Sequence, residues 1–160
     1  MGEGVQVRQL RPEEWPHLRA LRLAALAEAP HAFGSTFEHE EAFSDARWEE
    51  VARSTIFVAL SDGEFVGMAA AHRHDVPGVI RVWGMWVRPD RRRLGLGRAL
   101  LQALVGWARM EKADRIRLGV SESNRPAHEL YRTEGFIPTG ERRPLRSDPS
   151  IIEIEMERKI

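Results

Sequence analysis

Apolar positions change their period several times along the chain, and each change marks an element. Residues 5–10 (Val-Gln-Val-Arg-Gln-Leu) alternate apolar and polar, the period of a half-buried strand. Pro12 suits a first helical turn, and Trp15, Leu18, Leu21, Leu26 and Ala29 recur at near-helical spacing until Pro30 ends the run. Residues 31–36 have loop chemistry around Gly34, and a second helix is expected over 37–53, anchored by Phe43 and Trp48. Strand periodicity then takes over. Residues 56–60 and 64–68 flank Asp62-Gly63, a strong hairpin signal, and a third run covers 79–87 before Pro89 stops it. Trp83 and Trp86 in that run have opposite parity, so one is expected toward a cleft and the other in the core. A helix over 95–110 carries Leu96, Leu100, Leu104 and Ala108 on one face; Ile116, Leu118 and Val120 then alternate as a strand. Pro126 opens a helix that runs to about 133, with Gly135 placed as its C-terminal cap. Residues 136–137 and the Ile152, Ile154, Met156 alternation predict two last strands, with Glu153, Glu155 and Glu157 facing water. The order β-α-α-β-β-β-α-β-α-β-β is mixed α/β, with a parallel crossover over 79–120 and a single domain spanning 1–160.

Composition narrows the function. The chain has 160 residues, and 24 Lys+Arg balance 24 Asp+Glu to a formal net charge of zero. Such a balance provides no global field toward nucleic acid or an anionic membrane. Cysteine is absent, which removes disulfides, thiolate metal sites and thiol nucleophiles together. The start, Met1-Gly2-Glu3-Gly4-Val5-Gln6, has neither a basic nor an apolar leader segment, and no apolar run approaches the ~20 residues of a membrane span. These features read as a cytoplasmic protein without a membrane or nucleic-acid partner and without a metal.

The chemistry concentrates in two segments. In the first, Val87-Arg88-Pro89-Asp90-Arg91-Arg92-Arg93-Leu94-Gly95-Leu96-Gly97-Arg98, a strand ends at a proline, passes a basic loop and enters a helix across two glycines. Free N–H groups at a helix start beside guanidinium groups make an anion site, or else the segment is a solvated arginine turn. It is neither a Walker loop nor a dinucleotide fingerprint. The second segment is Asn124-Arg125-Pro126-Ala127-His128-Glu129-Leu130-Tyr131-Arg132-Thr133-Glu134-Gly135-Phe136.

Together the two resemble the GCN5-related N-acetyltransferase (GNAT) superfamily. Arg92-Arg93-Leu94-Gly95-Leu96-Gly97 is similar to its Arg/Gln-x-x-Gly-x-Gly/Ala acyl-coenzyme A motif, and the second segment to its Asn-x-x-Ala-x-x-Leu-Tyr-x-x-x-Gly-Phe signature. Arg93 departs from the pattern, standing where many members carry glycine. The resemblance implies a GNAT-like fold whose central sheet is splayed between strands at 79–88 and 115–121, with acyl-CoA in the V. It implies that backbone groups of Met85, Trp86 and Val87 pair with the pantetheine arm, that the amides of Arg92, Arg93, Leu94, Gly95, Leu96 and Gly97 hold the pyrophosphate, and that Asn124 contacts the cofactor or orders the splay. Arg91, Arg92 and Arg98 are added as candidates for phosphate pairing. Tyr131, the only tyrosine, falls on the family's tyrosine position, where a phenol can protonate a departing thiolate; otherwise it only packs its helix.

The strand facing the thioester, Arg81-Val82-Trp83-Gly84-Met85-Trp86, lacks the glutamate that many members use to deprotonate the amine. Glu38, Glu41, His72 and His74 stand as candidates for that task and, with Phe33, for lining the acceptor side; the other reading is a plain surface role for those four and a packed loop around Phe33. Glu38, Glu40 and Glu41 either favour a cationic amine or simply complement a helix start. The expected function is transfer of acetyl from acetyl-CoA to a primary amine by direct attack in a ternary complex. The alternative is a non-catalytic acyl-CoA-binding module of the same fold. The expected partners are acetyl-CoA and an amine, and a homodimer is compatible with either reading.

Overall fold

Seven strands form one sheet in the computed structural model, which describes residues 4–160. Residues 1–3, on which part of the expectation about a leader segment falls, lie outside the described residues. The strands are β1 (Val5–Gln9), β2 (Thr55–Ser61), β3 (Glu64–Arg73), β4 (Val79–Val87), β5 (Arg115–Ser121), β6 (Ile137–Leu145) and β7 (Asp148–Lys159). Their order across the sheet is β1-β2-β3-β4-β5-β7-β6, antiparallel except for β4 and β5. The helices are α1 (Trp15–Glu28), α2 (Phe37–Glu41), α3 (Asp45–Ala52), α4 (Leu96–Met110) and α5 (Arg125–Thr133). The parallel β4–α4–β5 crossover is present as expected. The β2–β3 turn also holds, with Asp62 and Gly63 both left-handed (φ 50° and 83°) as a two-residue hairpin turn requires.

Helices pack on both faces, giving two cores. One joins α4, with Leu96, Leu100, Leu101 and Leu104, to Ile116 and Leu118 of β5 and to Tyr131 and Phe136. The other joins α1 and α3, through Leu18, Leu26 and Trp48, to Ile56, Met68 and Trp86.

Four expectations need correction. The helix expected over 37–53 is two helices: Ser44 Oγ accepts from Arg47 N at 3.1 Å and so caps a new start, as Thr36 does for α2. The last two strands are much longer than 136–137 and 152–156, because β7 pairs with β5 on one side and β6 on the other. β6 shows no apolar period because it is an edge strand exposed at nearly every position, and Pro138 and Pro144 fit that place.

The glutamates of β7 do not face open water. Glu155 is buried, and Arg81, Arg117 and Arg143 lie 3.6, 3.9 and 3.3 Å from it, while Arg117 pairs with Glu157 at 2.6 Å. Arginines from three neighbouring strands share that face, so opposite charges meet across the strands.

The fourth correction lies in β4. Opposite β3, Ala70 pairs with Trp83 and Met68 with Trp86, so Gly84 and Met85 together face Ala69. This is a β-bulge, opened by Gly84 at φ +65°. The extra residue cancels the parity difference, and both tryptophans pack on the α1–α3 face, while Met85 and Val87 pack on the α4 face.

Candidate active site

β4 and β5 are paired only at Val79–Arg115, Ile80–Ile116 and Arg81–Arg117. Beyond that point both strands continue but separate, so the sheet opens into a V at the C-terminal ends of β4 and β5. The backbone of Met85, Trp86 and Val87 lies along the open part. There it can receive an extended ligand as an added strand. The Val87 carbonyl already accepts from Arg92 Nε at 2.9 Å.

The turn from β4 into α4 shapes the mouth of the V. α2, α3 and α5 each start on a side chain that bonds an amide of the first turn, from Thr36, Ser44 and Asn124. α4 starts on Gly95, left-handed at φ +81°, which has no side chain to do so. Its first amides are left for another acceptor, and a Cβ at Gly95 would meet nothing within 4 Å. Arg93, in the place of a family glycine, is also left-handed (φ 65°), so an arginine holds a conformation that glycine adopts without strain. Gly97 serves packing: a Cβ there would lie 3.3 Å from Leu130 and 3.4 Å from Met85, so glycine lets α4 approach α5 and β4 closely. Leu94 is exposed and Leu96 buried.

All three arginines proposed for phosphate pairing carry carboxylate partners. Arg91 lies 3.2 Å from Asp90, Arg92 2.6 Å from Glu28, and Arg98 2.8 Å from Glu134. Glu28 also accepts from Trp86 Nε1 at 2.9 Å, which ties the end of α1 to β4 and the basic turn. That bond and Arg92 hold the Glu28 carboxyl below its ordinary value against the opposing effect of burial, so it is a weak base. No ion pair forms at Arg93 among the described residues, which leaves it the arginine of this turn most available to a phosphate.

α5 carries the second motif. Asn124 caps it, its side chain accepting from Ala127 N at 3.3 Å. Tyr131 lies in the same helix, buried, with its ring 5.9 Å from that of Phe136. Burial pushes the phenol well above its ordinary range, so it keeps its proton at any working pH.

On the opposite face the sequence reading missed the principal feature. Arg22 of α1 is buried and forks onto Glu40, Nε to Oε1 at 2.9 Å and Nη2 to Oε2 at 3.0 Å. Its guanidinium lies 4.9 Å from the Phe33 ring and 5.7 Å from that of Trp83. Burial acts to raise the Glu40 carboxyl, but Arg22 and Ser35 more than offset it and the net shift is downward. A lone arginine within the apolar stripe of α1 was the available signal.

Glu38 and Glu41 are exposed on α2. His72 and His74 lie elsewhere: His72 pairs across from Arg81, at the closed end of the V, and His74 follows the end of β3. Phe33 is buried, and its carbonyl accepts from Ser147 Oγ at 2.6 Å. That bond ties the α1–α2 connection to the β6–β7 turn. No cluster of metal-ligating side chains occurs among the described residues, and no described helix is long and apolar enough to cross a membrane.

The family model for the acetyltransferase (GNAT) family matches residues 9–136. The chain belongs to that family. This GNAT chain superposes on a GNAT-family acetyltransferase from Streptococcus pneumoniae with a TM-score of 0.82 at 20% identity, covering 98% of this chain and 99% of that one. A second GNAT-like fold is yncA, a putative acetyltransferase from Salmonella typhimurium with its cofactor acetyl-CoA: TM-score 0.74, 17% identity, 98% and 94% covered. Among curated relatives, mycothiol acetyltransferase of Thermobispora bispora is 33% identical over 144 residues, 84% of this chain and 47% of its own length. The GNAT chain thus spans about half the length of the curated relatives it matches first. GNAT acetyltransferases use acetyl-CoA, and the uncapped α4 start, with the open space at Gly95, fits a pyrophosphate.

Proposed function

We propose that this chain transfers an acetyl group from acetyl-CoA to a primary amine by direct attack in a ternary complex. The reading rests above all on the parting of β4 and β5 after Arg81 and Arg117, with the uncapped start of α4 at the mouth of the opening. The amides of residues 95–97 and the Arg93 guanidinium hold the phosphates, and the free backbone of β4 aligns the arm that carries the thioester. Tyr131, neutral in its buried site, donates its proton to the sulfur as the amine's new bond forms and the thioester carbon–sulfur bond breaks. The chain has no cysteine to carry the acetyl group, in keeping with a single transfer. Glu28 is held ionised by Trp86 and Arg92, and Glu40 by Arg22, so the acceptor loses its proton to solvent before or during attack.

Those paired carboxylates also favour a second reading, a module that binds acyl-CoA without turnover. A screen of amines with acetyl-CoA, followed by release of free thiol, separates the two. Amine-dependent release is the expected result; tight acetyl-CoA binding with no release from any acceptor would leave the module.

A further inference from the structure

Beside the β4 bulge, on the α1–α3 face, lies a partly open cavity of about 150 Å³ with apolar walls from Phe43, Met68 and Trp83. Two lining residues carry a buried N–H group without a partner, Arg22 at Nη1 and Trp48 at Nε1. Both residues are more than nine-tenths buried. An unsatisfied donor at such depth costs about 1–3 kcal/mol, and more when charged, unless a ligand supplies the acceptor.

The lining carries more positive than negative groups. Arg22 and Arg47 stand beside the single lining carboxylate of Glu40, whose two oxygens are already turned to Arg22, while Arg47 is half-exposed and pairs outside the cavity with Glu50 at 3.2 Å. Arg22 cannot swing away to solvent, because Glu40 holds two of its nitrogens and the Phe33 and Trp83 rings flank its plane. Its Nη1 lies 3.6 Å from where a Cβ on Gly84 would stand, which sets the free donor against the bulge of the strand that faces the thioester.

We propose that this cavity receives a carboxylate of the acceptor, bound by Arg22 Nη1 with Trp48 Nε1 as a second donor, so that the substrate is a small amino carboxylic acid. The proposal rests on the acetyltransferase reading above and adds the substrate class. It replaces the expectation that the α2 glutamates select a cationic amine: Glu40 is consumed by Arg22, and Glu38 and Glu41 lie at the surface. An acceptor anchored at Arg22 presents its amine beside Gly84; a carboxamide offers one acceptor oxygen and no charge, and an amine with no acceptor group leaves both donors unsatisfied.

The test uses two readouts on the whole protein. Trp48 and Trp83 both line the cavity, so intrinsic tryptophan fluorescence reports occupancy without turnover. Alanine, phenylalanine and 4-aminobutyrate are each titrated against the matching carboxamide, with and without acetyl-CoA. At least one acid is expected to saturate roughly 10- to 100-fold more tightly than its amide. Trp48→Phe should weaken that preference. The double variant Arg22→Met/Glu40→Met, which leaves no unpaired buried charge, should abolish it while remaining folded by circular dichroism.

Equal binding of acid and amide, or saturation by neither, would overturn the proposal and leave both donors as unpartnered structural groups. Thiol release with the same compounds then separates the two levels. Release with neutral or cationic amines but with no amino acid sinks the carboxylate assignment and keeps the acetyltransferase. Selective carboxylate binding with no release from any acceptor keeps the cavity assignment and sinks the acetyltransferase reading.

Discussion

Tyr131 combines a buried ring with a hydroxyl that burial holds in its protonated form, the state a general acid must start from. Its ordinary range near pH 10 overlaps that of an amine, so without the shift the acid would fail where the nucleophile becomes available. With the shift, kcat/KM should climb with pH as the acceptor amine loses its proton, up to pH ~10, with no descending limb below it. A pH–rate profile checks this. Tyr131→Phe should lower kcat by ~10²–10⁴ with little change in the KM for acetyl-CoA, because the ring and its packing on Phe136 remain. An unchanged kcat would reduce Tyr131 to a packing residue. At the same scale, Gly95 and Gly97 differ although one motif names both. Gly95 is needed for its left-handed backbone and Gly97 for the closeness of Leu130 and Met85.

Among the elements, α5 is the one whose cap bears most directly on chemistry, since Asn124 fixes the start of the helix that carries Tyr131. Asn124→Ala should cost about 1 kcal/mol in a denaturant titration, and Asn124→Asp should recover most of it, because an aspartate oxygen can accept the same amide. An Asn124→Ala variant as stable as the unchanged protein would show that the cap contributes nothing. Elements of this kind were legible in the sequence because their signals are local: a capping Asn, a proline in the first turn, Asp-Gly between apolar runs. The break at Ser44 was also local and visible in principle, as a serine ahead of an acidic residue within a polar helix. The Arg22–Glu40 pair was not. Its members are 18 residues apart on different helices, and only packing of α2 against α1 brings them together. The bulge at Gly84 lay between these cases. A glycine inside a strand hints at one, but only the pairing with β3 shows that it is there.

Across the whole molecule, a zero net charge conceals many carboxylates held ionised by arginines. The Arg8 fork on Glu14 lowers that carboxyl from 4.5 to about 2, and Glu28, Glu40 and Glu157 are lowered as well. A depressed folded value stabilises the protein above the unfolded value and loses that stabilisation as pH falls through the folded one. Melting temperature should therefore hold above pH 5 and fall between about 4.5 and about 2. Glu40→Gln should flatten part of that acid limb while lowering stability at neutral pH by about 3–5 kcal/mol, because Arg22 stays buried without its partner. Calorimetry across that pH range checks both. The bulge also bears on the molecule as a whole. Residues before Gly84 and residues after it are in register with the two cores only because one residue has been counted twice against β3. Straightening the strand with this residue retained would turn Trp86 toward α4 and Val87 toward α1, whereas deleting Gly84 would close the bulge, pair Met85 alone with Ala69 and leave every side chain on its present face. β4 is therefore one residue longer than its pairing with β3 requires, and a chain shortened by one at this point would keep both layers and lose only the local bend and the left-handed residue that makes it.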